Sequence, residues 1–169
     1  KGTNDFENKI SVRAAEYDDY EVNLMSRGPL VEDKVFYMVQ GRYYDFGGQY
    51  RNSIDGGKVG QEESKGINGA LEFKLTDNLS ANISAGFNKD DDGVAAIALQ
   101  DRFSNNCFLN KPRQYYCGEV THPDVIAVDR RGLQGTEGVH RESTRVFGNI
   151  VYDTDDFTIT SNTGLFWTN

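Results

Sequence analysis

No stretch of this sequence approaches the ~18 consecutive apolar residues that a membrane-spanning helix needs. That excludes a helical span within these residues. It does not exclude a membrane, because barrel strands carry a far weaker hydropathy signal. Basic residues are also short: 18 Lys and Arg stand against 26 Asp and Glu, a net charge of -8. The balance argues against a nucleic-acid partner, since the phosphate backbone is held by clustered cations. Proline is scarce, at three, and cysteine scarcer, at two. Neither an initiator Met nor a signal-peptide pattern opens the chain, so a processed product or a fragment is expected. There is no nucleophile elbow and no phosphate loop; Gly56-Gly57-Lys58-Val59-Gly60 is Gly-rich but lacks the phosphate-loop spacing. No residue constellation supports an enzyme, and no cofactor is called for.

What the chain does have is aromatic residues, at 12%, and 18 glycines, over a length that suits one domain. So many Tyr, Phe and Ile residues argue against disorder, despite a mean hydropathy of -0.62. Their arrangement has a period of two. Ile67, Gly69, Leu71, Phe73 and Leu75 fall on one face, with Ser64, Asn68, Glu72 and Lys74 on the other. After the Thr76-Asp77-Asn78 turn, Leu79, Ala81, Ile83, Ala85 and Phe87 take up the apolar face, with Ser80, Asn82, Ser84 and Asn88 opposite. Such alternation means strands with one greasy and one wet face. It predicts strands over 6–15, 20–28, 34–46, 65–75, 79–88, 141–152 and 157–167. The connections at 16–19, 29–33, 76–78 and 153–156 are short, and the last three fall at one end of an up-and-down meander. Those at 47–64 and 89–140 are long, polar and Gly-rich. Short turns at one end and long loops at the other are the pattern of outer-membrane barrels; a soluble sandwich has no reason to segregate loop length.

Cys107 and Cys117 sit ten positions apart without nearby ligand partners, which suits a disulfide better than zinc. A bridge would place the chain in an oxidising compartment; free buried thiols are the alternative. Asn88, Asp90, Asp92 and Gly93 match the first positions of a calcium loop, but Leu99 stands where its bidentate Glu belongs. A solvated acidic strand end fits the same residues. His122 and His140 lack a second ligand set, so surface polar roles are expected of them. Asp129, Arg130 and Arg131 form a charged segment, either substrate-facing or simply solvated. Tyr37, Tyr43, Phe73 and Trp167 suit aromatic girdles at a bilayer interface; they would equally suit a soluble core.

Several stretches resemble the barrel of TonB-dependent outer-membrane receptors. One is Gly28-Pro29-Leu30-Val31-Glu32-Asp33-Lys34, followed by Gly41-Arg42-Tyr43-Tyr44 and Tyr50-Arg51-Asn52. Another is the strand–turn–strand unit Leu71-Glu72-Phe73-Lys74-Leu75-Thr76-Asp77-Asn78-Leu79. Asp90-Asp91-Asp92-Gly93 with Ala98-Leu99-Gln100, then Tyr115-Tyr116-Cys117-Gly118-Glu119, is similar to an extracellular loop of such receptors. Asp156-Phe157-Thr158-Ile159-Thr160-Ser161-Asn162-Thr163-Gly164 resembles a later barrel hairpin. The order and spacing of the pieces are more specific than any one of them.

The resemblance implies an antiparallel all-β meander, part of a large transmembrane barrel of about 22 strands. It implies uptake of a scarce nutrient such as a ferric siderophore, haem, vitamin or oligosaccharide. Outer-membrane lipid, the remaining strands, an N-terminal plug and, through the plug, a periplasmic energy-coupling protein would be the partners. Gln40, Arg42, Asn68, Glu72 and Asn82 would then line the lumen, and the long loops would help capture ligand. Seven strands cannot close such a barrel, so residues 1–169 are expected to be an internal segment that transports nothing alone. The rival expectation is a secreted structural subunit whose open strand edges pair with copies of itself into a fibre.

Overall fold

The computed structural model describes residues 3–97, 126–131 and 137–169. Its strands are β1 (Glu7–Ala15), β2 (Asp19–Val31), β3 (Val35–Phe46), β4 (Tyr50–Arg51), β5 (Lys58–Val59), β6 (Glu62–Lys74), β7 (Leu79–Asp92), β8 (Val139–Asp153) and β9 (Thr158–Thr168). The described residues include no helix long and apolar enough to cross a membrane. Seven strands form one antiparallel sheet in the order β1-β2-β3-β6-β7-β8-β9. β4 and β5 form a separate two-stranded ribbon inside the connection from β3 to β6. The protein is thus an all-β meander, and among the described residues the main sheet is open, with β1 and β9 as its edges.

Turn chemistry fixes the register. Thr76 begins the β6–β7 turn: its hydroxyl accepts the Asn78 N–H at 3.3 Å, and Leu75 N donates to Leu79 O at 2.9 Å. Thr154 does the same for β8–β9, its hydroxyl accepting the Phe157 N–H at 3.1 Å. In the turn between β2 and β3, Asp33 takes the left-handed conformation (φ 59°), which Asp tolerates better than most residues. Pro29 cannot donate to a ladder; it sits next to a register shift between Pro29 and Val31 that absorbs the missing bond.

The ladders align the alternating residues into rows. Ile10, Leu24, Gly41, Ile67, Phe87, Thr144 and Trp167 form one continuous row across all seven strands. Leu71 faces Ile83, and Leu79 faces Tyr152, which faces Ile159, on the same side. Between these rows that face carries no Asp, Glu, Lys or Arg. Its polar members are Asn8, Ser26, Thr144, Ser161 and Thr163. The uncharged band runs from Leu79 to Phe87 on β7, about 27 Å along the strand. Charge begins one row later, with Lys65, Lys89 and Glu142. Tyr43 and Trp167 stand at that border, whereas Tyr37 and Phe73 lie within the band. At the far end the Tyr152 and Phe157 rings meet at 6.4 Å. Gly28 leaves room for the Phe6 ring, which a Cβ would meet at 2.5 Å, and Phe6 tilts against Tyr37 at 6.5 Å.

The opposite face is polar. Glu72, Asn82, Asn149 and Asn162 make one row. Ion pairs cross its strands: Arg27–Glu7, Arg13–Asp19 and Arg42–Glu21. Met25, Met38, Phe147 and Phe166 are scattered among them.

Neither face is covered by a second layer among the described residues, since each strand of the sheet packs only on its ladder neighbours. Ile10 is 72% exposed, Ile83 53% and Leu165 57%. Among the described residues the large buried apolar side chains are Phe36 and, in the connections, Val59 and Ile126. A sheet normally buries one face against another element; here the whole apolar face is open.

Candidate functional site

The short turns 32–34, 75–78 and 154–157 lie at one end of the sheet; the β1–β2 turn, the β3–β6 connection and the described ends of the β7–β8 connection lie at the other. There the β3–β6 connection and residues 126–131 pack as one cluster. Asn52, 1% exposed, is its centre. The Asn52 amide donates through Nδ2 to Val128 O at 2.7 Å, and its Oδ1 accepts from Val128 N at 3.0 Å and Ile54 N at 3.3 Å. Ser53 N donates to Ile126 O at 2.9 Å, and Asn52 and Ile126 form a parallel bridge. Buried polar groups require this kind of full pairing.

Beside Asn52, Arg130 binds Asp55 through Nε at 2.8 Å and Nη2 at 2.6 Å. The Gly57 N–H adds a bond to Asp55 Oδ1 at 2.8 Å. The Arg130 guanidinium first, then the Gly57 amide, hold the Asp55 carboxyl down to about 2 from an ordinary 3.8, against a smaller opposing effect of desolvation. Lys58 reaches Asp18 in the β1–β2 turn, and that bond lowers the Asp18 carboxyl too. Gly47 N donates to Tyr17 O at 3.0 Å, so this turn is tied to the same cluster. Gly48 is required where it sits: its φ is +85°, and a Cβ would lie 2.6 Å from Val59 O.

Two clefts open beneath the cluster. One, of about 480 Å³, is polar and lies against Asp18, Asp45, Lys58, Asp91, Arg130 and His140. The other, of about 650 Å³, is mostly apolar, with walls that include Phe46, Tyr50, Val94, Ala95, Ala96 and Val139. Glu62, Asp92 and Glu137 border both.

The residues expected to face a lumen do share a face. Gln40 and Asn68 are direct ladder partners, as are Glu72 and Asn82, and Arg42 lies on the same side. Arg42 donates to Glu21 at 2.8 Å and stacks over the Tyr44 ring at 4.9 Å. Asn68 accepts from Arg145 at 2.6 Å. The loop trio separates. Asp129 and Arg131 pair with each other on the surface, and that pairing lowers the Asp129 carboxyl. Arg130 is committed to Asp55 inside the cluster.

Of the two expectations for Asn88, Asp90 and Asp92, calcium loop or acidic strand end, the backbone shows a strand end. These residues extend β7 instead of forming a loop, and no three His, Cys, Asp or Glu side chains among the described residues are placed to hold a metal ion. Asp90 is instead filled by Arg141, by Ser64 at 2.9 Å and by Asn88 at 2.6 Å. His140 sits 2.8 Å from Asp91. Cys107, Cys117 and His122 lie outside the described residues, and so does the disulfide expected there.

Sequence reading missed Asn52, Asp55, Arg141, Arg145 and Glu137. Only the turn-forming stretch Asn52-Ser53-Ile54-Asp55-Gly56-Gly57 held a signal, and it points to a turn, not to a docking partner. In comparison with known proteins, no family model matches the chain, and neither a curated protein nor a solved structure does.

Proposed function

We propose that this chain forms part of the wall of an outer-membrane β-barrel of the TonB-dependent receptor type, with the loop cluster on the ligand-capturing side. The receptor's work would be energised uptake of a scarce nutrient, with the plug and energy-coupling partner supplied outside these residues. One observation carries the reading: an uncovered sheet with a continuous uncharged apolar face and a charged, hydrogen-bonded opposite face. In water such an apolar face is a liability. Against lipid it is matched. A strand tilt of ~35–45° projects the uncharged band to about 20 Å, close to the ~25 Å apolar belt of such barrels. The polar face, with Gln40, Arg42, Asn68, Glu72 and Asn82, would then look into the lumen. The resemblance in sequence narrows the barrel to the receptor type.

Trp167 is the sole tryptophan and sits on the apolar face at the border of the band. The chain should be folded into phospholipid vesicles whose acyl chains carry bromine at defined depths. Lipid bromination near the headgroup should quench Trp167 strongly, and bromination at the chain ends less. Fluorescence unchanged by any brominated lipid, in protein that floats with the vesicles, would sink the barrel-wall reading.

A second reading draws on the two open edges of the sheet. Exposed edges template strand pairing, so a self-assembling structural subunit is the alternative. Ordered fibres in detergent-free buffer would favour it.

A further inference from the structure

Charge on the polar face of the sheet is sorted by height. Two adjacent rows at its middle hold Lys9, Arg42 and Arg145 and no Asp or Glu, in a chain of net charge -8. Arg13, Arg27, Arg42 and Arg141, the other arginines of this face, each meet a carboxylate. Arg145 has no ion pair among the described residues. Its guanidinium lies across β7 to reach Asn68 on β6 at 2.6 Å. Gly86 makes that crossing possible: a Cβ there would collide with Asn68 Oδ1 and stand 2.9 Å from Arg145 Nε. Asn68 takes one of the five guanidinium N–H groups. The other four, the Asn68 amide N–H groups and the Ser143 hydroxyl have no protein acceptor among the described residues. These donors wall a cleft of about 190 Å³ together with the exposed ring of Phe166, the direct ladder partner of Arg145. Asp90, in the next row toward the loops, is buried and committed to Arg141.

We propose that this cleft binds an organic carboxylate carried on a flat apolar body. The carboxylate would take two N–H groups of Arg145, whose planar fork matches its two oxygens. The Asn68 amide and the Ser143 hydroxyl would donate to the lone pairs that remain. The body would lie against Phe166. One uncompensated guanidinium balances one negative charge, so a monoanion fits better than a dianion in so acidic a chain. A cation would meet Arg145 and no free carboxylate. On the receptor reading this face looks into the lumen, so the assignment names a ligand class for that reading and rests on it for the side from which ligand arrives.

The test is an NMR titration of the full chain in uncharged detergent at constant ionic strength, read at the Arg145 Nε–H and the Asn68 side-chain amide. The probes are 3-phenylpropionate and, as a cation of similar shape, 2-phenylethylamine. The propionate should shift both signals saturably, and the amine should leave them in place. Arg145→Gln, read at Asn68, should weaken the propionate about 5-fold, the upper range for an exposed charge pair. Gly86→Ala keeps every charge but pushes Arg145 off Asn68, and should weaken it about 3-fold. Arg27→Gln, on the same face but paired with Glu7, should leave binding unchanged. Equal shifts with propionate and amine would overturn the proposal, and this comparison needs no substitution. So would parent-like binding in either Arg145→Gln or Gly86→Ala, or a loss in Arg27→Gln as large as in Arg145→Gln, which would mark net charge alone. Trp167 quenching by brominated lipid separates the two readings. Propionate binding without quenching would defeat the barrel wall alone; quenching without propionate binding would defeat the ligand assignment alone.

Discussion

Arg130 and Asp55 stand 75 positions apart in the chain and meet through two hydrogen bonds, at 2.8 and 2.6 Å. The guanidinium fork matches both carboxylate oxygens, which a lysine could not do. Two connections that share no ladder of the main sheet are thereby clamped together.

The pairing sets a pH dependence. The Asp55 carboxyl titrates near 2 in the folded cluster, below its ordinary 3.8. A depressed carboxyl stabilises the folded form above its ordinary value, and that contribution fades as pH falls from 3.8 toward 2. The loop cluster should therefore be intact at pH 5 and loosen only in strong acid. Carbon NMR of the Asp55 carboxyl should give a midpoint near 2, and Arg130→Gln should return it toward 3.8. A midpoint unmoved by that substitution would remove the clamp.

Asn52 should matter more than either charged partner, because it is buried. Asn52→Ala leaves Val128 N and Val128 O without their partner, at about 2–3 kcal/mol of local stability. Hydrogen exchange should speed up at the Val128 and Ile54 amides while amides of the main sheet keep their protection. Unchanged exchange at Val128 would mean that Asn52 does not hold the two segments together.

Period-two alternation made all seven strands of the main sheet legible, because Leu71, Phe73, Ile83 and Phe87 mark one face wherever the band runs. Strand ends were less legible. Glu62, Glu63, Asp90, Asp91 and Arg141 put charge on both faces, so the extensions of β6, β7 and β8 toward the loops carry no apolar rhythm. β4 and β5 are too short to show any. The candidate site was mostly hidden for a different reason. Asn52 meets Ile126 and Val128 through contacts distant in sequence, and nothing local in either segment names the other. The acidic run at Asn88–Asp92 left a calcium loop and a strand end both open, because carboxylates look alike whether they ring an ion or pair with Arg141.

The open apolar face should govern how the chain behaves in solution. With both edges unpaired and Ile10, Ile67 and Ile150 more than half exposed, the chain should self-associate in detergent-free buffer. Analytical ultracentrifugation should show a broad, concentration-dependent distribution that narrows on adding detergent. A monodisperse monomer with cooperative unfolding in plain buffer would contradict both the barrel-wall and the fibre readings.

The two faces can be told apart by one charge placed on each. Ile83 lies inside the uncharged band, and Asn82, its neighbour on the same strand, points to the opposite side beside Glu72. In a lipid bilayer Ile83→Arg should cost about 2–4 kcal/mol, because the guanidinium would sit in hydrocarbon near mid-depth. Asn82→Arg should stay within about 0.5 kcal/mol, since the new charge joins a polar row that already holds a carboxylate. Urea unfolding in vesicles measures both. In water the order should reverse for solubility: Ile83→Arg removes exposed apolar surface and should reduce association, while Asn82→Arg changes little. Only a face matched to lipid gives opposite signs in the two solvents. If Ile83→Arg were as harmless in the bilayer as Asn82→Arg, the apolar face would not be the lipid-contacting one.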